Sequence, residues 1–166
     1  MRLQKVVLFA LVAVFLAAGT VSLYGHCQIP CGIYGDEMRF KMIEEDITTV
    51  EKSIKQILEL SKASPVNYNQ LVRWITNKDE HATKIQDIVN AYFFTQRISP
   101  VDPSDKKAYQ EYIHKLELLH QLLYYAMKTK QTTDLAHVEK LRTLLQEFYD
   151  VYFSPEDKEH LKEHNH

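Results

Sequence analysis

Phe40, Ile43, Ile47, Val50, Ile54 and Ile57 recur at intervals of 3, 4, 3, 4 and 3 residues. That spacing holds all six on one face of an α-helix, in a near-heptad rhythm suited to packing against other helices. A strand turns alternate residues to opposite faces and cannot bury the same set. The helix is expected to begin near Asp36 and to end in residues 61–65, because the residue before Pro65 is pushed out of the helical region. With Gly 4 and Pro 5 in 166 residues, turn-formers are too few for an all-β chain.

The pattern continues downstream. A second helical stretch is predicted over about 68–98, with Leu71, Val72 and Ile75 as its first apolar face and Ile85, Ile88, Val89 and Tyr92 as its second. Asn77-Lys78-Asp79 is a point where it can break. Pro100 and Pro103 mark a connector, with Ser104 or Asp105 capping the next helix. The third helix spans about 105–130, with Tyr109, Tyr112, Ile113, Leu116, Leu119, Leu123 and Met127 as its buried stripe. Thr132-Thr133-Asp134 is a cap signal for a fourth. That helix buries Leu135, Val138, Leu141, Leu145, Phe148 and Tyr152. Residues 154–166 are polar and expected to fray. Four amphipathic helices with short connections predict an all-α fold, an antiparallel four-helix bundle over 36–153.

The first 25 residues have another character. Arg2 and Lys5 precede an uncharged apolar run over 6–19, the pattern of a signal peptide. The run is shorter than the roughly 20 residues that span a bilayer comfortably. Small residues before the cut allow cleavage after Gly19 or after Gly25, and the second makes His26 the new N-terminus. Loss of Arg2 and Lys5 lowers the basic residues from 20 to 18 against 22 acidic ones, a net charge of −4. Such a chain lacks the basic footprint of a nucleic-acid binder and is not built to adhere to anionic membranes.

Both cysteines of the chain fall in His26-Cys27-Gln28-Ile29-Pro30-Cys31-Gly32-Ile33-Tyr34-Gly35-Asp36. Pro30, Gly32 and Gly35 give this segment turn chemistry rather than a helical pattern. In an exported protein, two cysteines four apart can close a small disulfide loop or pack as buried thiols. If cleavage follows Gly25, the same segment offers a free amine, an imidazole, the amide nitrogen of Cys27 and two thiolates. Two thiolates with two backbone nitrogens make a tetragonal set, which suits Ni(II) or Cu(II) better than tetrahedral zinc. Such a centre does one-electron redox chemistry.

His26-Cys27-x-x-Pro30-Cys31-Gly32-x-Tyr34 resembles the nickel hook of nickel superoxide dismutase. Ala91-Tyr92-Phe93 and residues 117–122 also resemble segments of that family's second and third helices. The resemblance is close over the hook, 26–35, and loose over about 34–153. It implies an N-terminal metal-binding hook carrying one nickel ion per subunit. The His26 amine, the Cys27 amide and the Cys27 and Cys31 thiolates would bind in the plane, with the His26 imidazole axial. Tyr34 would screen the open face, with Tyr92 near it. Superoxide would be the substrate, disproportionated to oxygen and hydrogen peroxide by Ni(III)/Ni(II) cycling. A homohexamer and a signal peptidase or dedicated maturation protease are implied as well. The chain departs from the pattern at Gln28 and at Gly35-Asp36, where the family commonly has acids or Asp-Pro. The acid that steadies the axial imidazole has no unique counterpart. Glu44 is the candidate, with Glu45 behind it, although Lys41 falls nearer the expected place. Arg73 is the candidate for an arginine from helix two.

Competing constellations are weaker. Glu111-x-x-His114 and Glu117-x-x-His120 have di-iron spacing but share one helix, where a surface reading is favoured. His160, His164 and His166 read as a solvated tail. The alternative function is a non-enzymatic exported helical module whose hook is a disulfide or a metal-capture loop. Either reading places the chain in a periplasm, outside the cell or in an organelle lumen.

Overall fold

The structure, a computed structural model, describes residues 32–163. Over these residues the chain forms α1 (Ile33–Leu60), α2 (Tyr68–Asp87) with a π-helical continuation (Ile88–Arg97), α3 (Lys106–Gln131), α4 (Ala136–Tyr152) and α5 (Pro155–Glu163). Each long helix packs on the next, and α4 closes against α1. Along α1, Ser53, Asp46 and Asp36 bond Asn77, His81 and Tyr92 in turn, so the two helices run antiparallel. Phe40 meets Phe148 while Glu51 meets Arg142, so α1 and α4 are antiparallel too. The described residues are thus an antiparallel helical bundle, as the heptad-like spacing predicts.

All six apolar residues of the α1 stripe are buried. They face Ala82, Ile85, Val89 and Phe93 from the second helix, Leu119, Leu122 and Ala126 from α3, and Leu141, Leu144 and Phe148 from α4. Side-chain caps settle the starts of α2 and α3. Asn67 accepts the Gln70 amide at 3.2 Å, and Asp105, not Ser104, accepts that of Ala108 at 3.1 Å. The fourth helix starts without a side-chain cap: Leu135 holds the N-cap position, and Asp134 before it accepts the amide of Ala136 at 2.9 Å in a turn.

Four expectations change. The second helix does not break at 77–79. Lys78 is buried there, and its ammonium donates to the carbonyls of Thr129 and Lys130 at 2.7 and 2.6 Å, closing the C-terminal end of α3. The buried face of α3 is Leu118, Leu119, Leu122, Ala126 and Thr129, and Ile113 is exposed. Adjacent leucines at 118–119 and 122–123 satisfy two helical phases, and contact with the other helices selects one. Val72 and Ile75 are exposed as well. Finally, 155–163 is helix rather than frayed tail. Ser154 and Asp157 form a reciprocal capping box at 3.0 and 3.1 Å, and Leu161 is only 2% exposed.

Candidate functional site

One end of the bundle gathers the start of α1, the end of the π-helical segment, the end of α4 and α5. Gly32 caps α1 with φ 147° and ψ 166°, and its carbonyl accepts the Asp36 amide at 2.9 Å. That backbone region is essentially confined to glycine, and any side chain there is strained by about 1–3 kcal/mol. Cys31 precedes this residue in the sequence, so the glycine fixes the direction from which the chain enters the helix.

Four residues on, Asp36 is 3% exposed and paired on both oxygens. The Tyr92 hydroxyl donates to Oδ1 at 2.5 Å. Arg97 Nη2 and the Tyr152 hydroxyl donate to Oδ2 at 2.5 and 2.9 Å. Arg97 Nε also donates to the Tyr152 oxygen at 3.1 Å. One carboxylate therefore ties α1 to the second helix and to α4. The π-helical segment makes this possible. Tyr92 and Arg97 are five apart, which in an α-helix turns them about 140° away from each other. A π-helix closes on i→i+5 bonds, so residues five apart stack and both reach the same acid.

The charges at this cluster are consistent with permanent donors. Burial, then the hydrogen bond to Asp36, pushes the Tyr92 phenol from 10.0 up to about 12. Burial likewise drives Tyr152 up. Burial works to lower the Arg97 guanidinium, but its hydrogen bonds to Asp36 and Tyr152 outweigh that and raise it. A phenol whose folded pKa is raised stabilises the fold below about pH 10, and the contribution is lost as pH climbs through about 12. An alkaline absorbance titration should accordingly show late tyrosine ionisation, smaller by one phenol in Tyr92→Phe, with Tyr152 still titrating late. Completion of that titration by pH ~10.5, near the ordinary phenol value, would contradict it.

Tyr34 lies on the outer side of the same helix start, half exposed, with its hydroxyl 2.9 Å from His160 Nε2 of α5. Beside the Asp36 cluster is an open pocket of about 390 Å³, lined by Ile33, Asp36, Arg97, Lys115, Tyr152 and Asp157 among others.

The residues singled out in the sequence fall as follows. His26, Cys27 and Cys31 lie outside the described residues. Tyr34 and Tyr92 are both at this end of the bundle, on opposite sides of the α1 start. Glu44 is two turns deeper in α1 and accepts from Arg142 Nε at 3.1 Å. Arg73 is exposed next to Trp74, whose ring lies 5.9 Å from Lys52 Nζ. From Asp36 to Lys52 is about 24 Å of helix, so Arg73 is not brought to the Tyr34 end. Asp36, Arg97, Tyr152 and His160 were not singled out as site residues. The available signals were slight, an acid in a first helical turn and an arginine five residues past Tyr92. Glu111, His114, Glu117 and His120 are all exposed. Among the described residues no three His, Cys, Asp or Glu side chains come together in a way that holds a metal.

The described residues are an all-helical bundle, preceded in the sequence by a segment with one imidazole and two thiols, and that combination suits the class of helical metalloproteins. The model of the nickel-containing superoxide dismutase family matches residues 21–156, most of the chain, and the chain belongs to that family. It is a superoxide dismutase of the nickel type, an oxidoreductase with nickel as cofactor and superoxide as substrate. No curated protein and no solved structure matches it. The donor chemistry fits the metal, since two thiols with nitrogen donors make the soft, tetragonal set that Ni(II) accepts.

Proposed function

We propose that removal of residues 1–25 creates an N-terminus at His26, and that this terminus holds the nickel. The His26 amine and imidazole, the Cys27 amide and the Cys27 and Cys31 thiolates would be its ligands. When bound, nickel supplies a one-electron couple, Ni(III)/Ni(II), for converting two superoxide ions and two protons into oxygen and hydrogen peroxide. The observation that carries this reading is the nine-residue motif from His26 to Tyr34, which lies inside the family match.

The described residues give that hook a fixed root. Asp36, Tyr92, Arg97 and Tyr152 lock the first turn of α1 five residues after Cys31. A rooted hook loses less entropy on closing around a metal than one on a loose helix end. Tyr34 stands on that locked turn and would limit access to small anions. The protein is proposed to be exported, to be cut by a signal peptidase or a dedicated protease, and to assemble as a homohexamer.

Native mass spectrometry of the protein from its own compartment tests the reading. The expected spectrum shows six copies of a chain starting at His26, each with one nickel. A metal-free chain starting elsewhere and two hydrogens light would mean a Cys27–Cys31 disulfide, and would overturn thiolate ligation.

A further inference from the structure

We propose that His160 is a positioning residue for Tyr34, so that the C-terminal helix α5 forms part of the active end of this dismutase. The inference rests on the reading of Tyr34 as the residue that screens the nickel hook. It goes beyond the family match, which stops at residue 156 while α5 runs to Glu163.

The contact is built rather than casual. His160 Nε2 lies 2.9 Å from the Tyr34 hydroxyl, and the two ring centroids are 5.7 Å apart. Exposed side chains joined by one hydrogen bond usually gain little from it, because holding both in place costs entropy. Here the backbone that carries the imidazole is already held at three points. The Ser154–Asp157 box caps the helix start. Lys158 Nζ reaches both the carboxylate and the carbonyl of Asp150, at 2.9 and 3.2 Å, and lies over the Tyr149 ring. Leu161, next to His160, is buried. Tyr34 is equally held, two residues before the Asp36 anchor.

The imidazole decides what the phenol can offer. If Nε2 carries hydrogen, it donates to the tyrosine oxygen, and the phenol proton is left to donate to an arriving anion. If Nε2 is bare, it accepts the phenol proton, and the oxygen presents only lone pairs. The first arrangement favours a small anion and the second repels it. Reduction of superoxide to hydrogen peroxide also consumes two protons, and a hydroxyl backed by an imidazole is a short route for delivering them.

The test uses the nickel-loaded, reduced protein with ring-labelled tyrosine. His160→Ala is expected to move the Tyr34 ring resonances, leave those of Tyr92 and Tyr152 in place, and slow dismutation about three- to tenfold, the scale of one lost side-chain hydrogen bond. His160→Gln keeps an N–H donor and should recover part of both effects. Lys162→Ala, on the same helix, should change neither. Retained amide signals across α5 show that the helix is still folded. Unmoved Tyr34 resonances in His160→Ala would overturn the proposal, and so would moved resonances with an unchanged rate. An inactive parent protein would instead sink the reading of Tyr34 and the hook.

Discussion

Replacing Cys27 or Cys31 by Ala is expected to abolish nickel retention and dismutation together, each variant alone being sufficient. The argument is one of donor count. Ni(II) in a tetragonal S/N set depends on soft thiolates, and these two are the only cysteines in 166 residues. With one removed, the remaining thiolate and nitrogens form an incomplete set whose binding competes poorly with water and with protonation. An equal loss is expected when a single extra residue precedes His26. The chain keeps both thiols in that case, but the terminal amine becomes an amide and the imidazole moves one residue inward. The bundle should be untouched in all three variants, because the described core is made by helix packing on helix from Phe40 to Phe148. Elemental analysis, a direct superoxide assay and far-ultraviolet circular dichroism separate these outcomes. Full dismutation in both cysteine variants would show that the metal is held elsewhere.

The bundle was legible in the sequence because burial in a helical protein is written as periodicity. The α1 stripe lies where its 3-and-4 spacing puts it, and the connector prolines fall between helices. Legibility failed where two periods fit or where the period itself changed. Leucine pairs in α3 allow two phases, and only the neighbouring helices choose between them. The π-helical turn from Ile88 to Arg97 has no composition of its own, so the partnership of Tyr92 with Arg97 cannot be read at α-helical spacing. In the sequence Asp36 marks only the expected start of the first helix. Its burial exists only because three helices converge on it. A resemblance that expects an acid deeper in the first helix leads to Glu44, whose partner is Arg142 on α4. The tail, 154–166, reads as polar because only Pro155 and Leu161 in it are apolar, whereas that one leucine and a capping box are what fold 155–163. The proposed hook ligands, His26, Cys27 and Cys31, are read from donor chemistry alone and lie outside the described residues.

Asp36→Ala should lower the stability of the bundle by about 2–4 kcal/mol, a magnitude set by what the substitution leaves behind. Removing one member of a buried ion pair typically costs 3–5 kcal/mol, because the partner charge stays desolvated. The Arg97 side chain is 28% exposed, so water recovers part of that cost. The hydroxyls of Tyr92 and Tyr152 lose their acceptor as well, and that of Tyr92 is buried too deeply to find water in its place. Asp36→Asn should recover little, since its amide keeps one acceptor but turns a donor toward Arg97 or Tyr92. For a chain of this size the loss corresponds to a fall of about 5–15 °C in Tm, measurable by a thermal melt of the metal-free protein. Tyr92→Phe removes a single donor and should cost only about 1 kcal/mol. The decisive comparison is Arg97→Ala alone and combined with Asp36→Ala. If the carboxylate and guanidinium hold each other in place, the double variant will be markedly less damaged than the two single effects added. Additive losses, or an Asp36→Ala melt within a degree of the parent, would mean that the start of α1 is anchored by apolar packing around Phe40, and that the carboxylate is dispensable to the root of the hook.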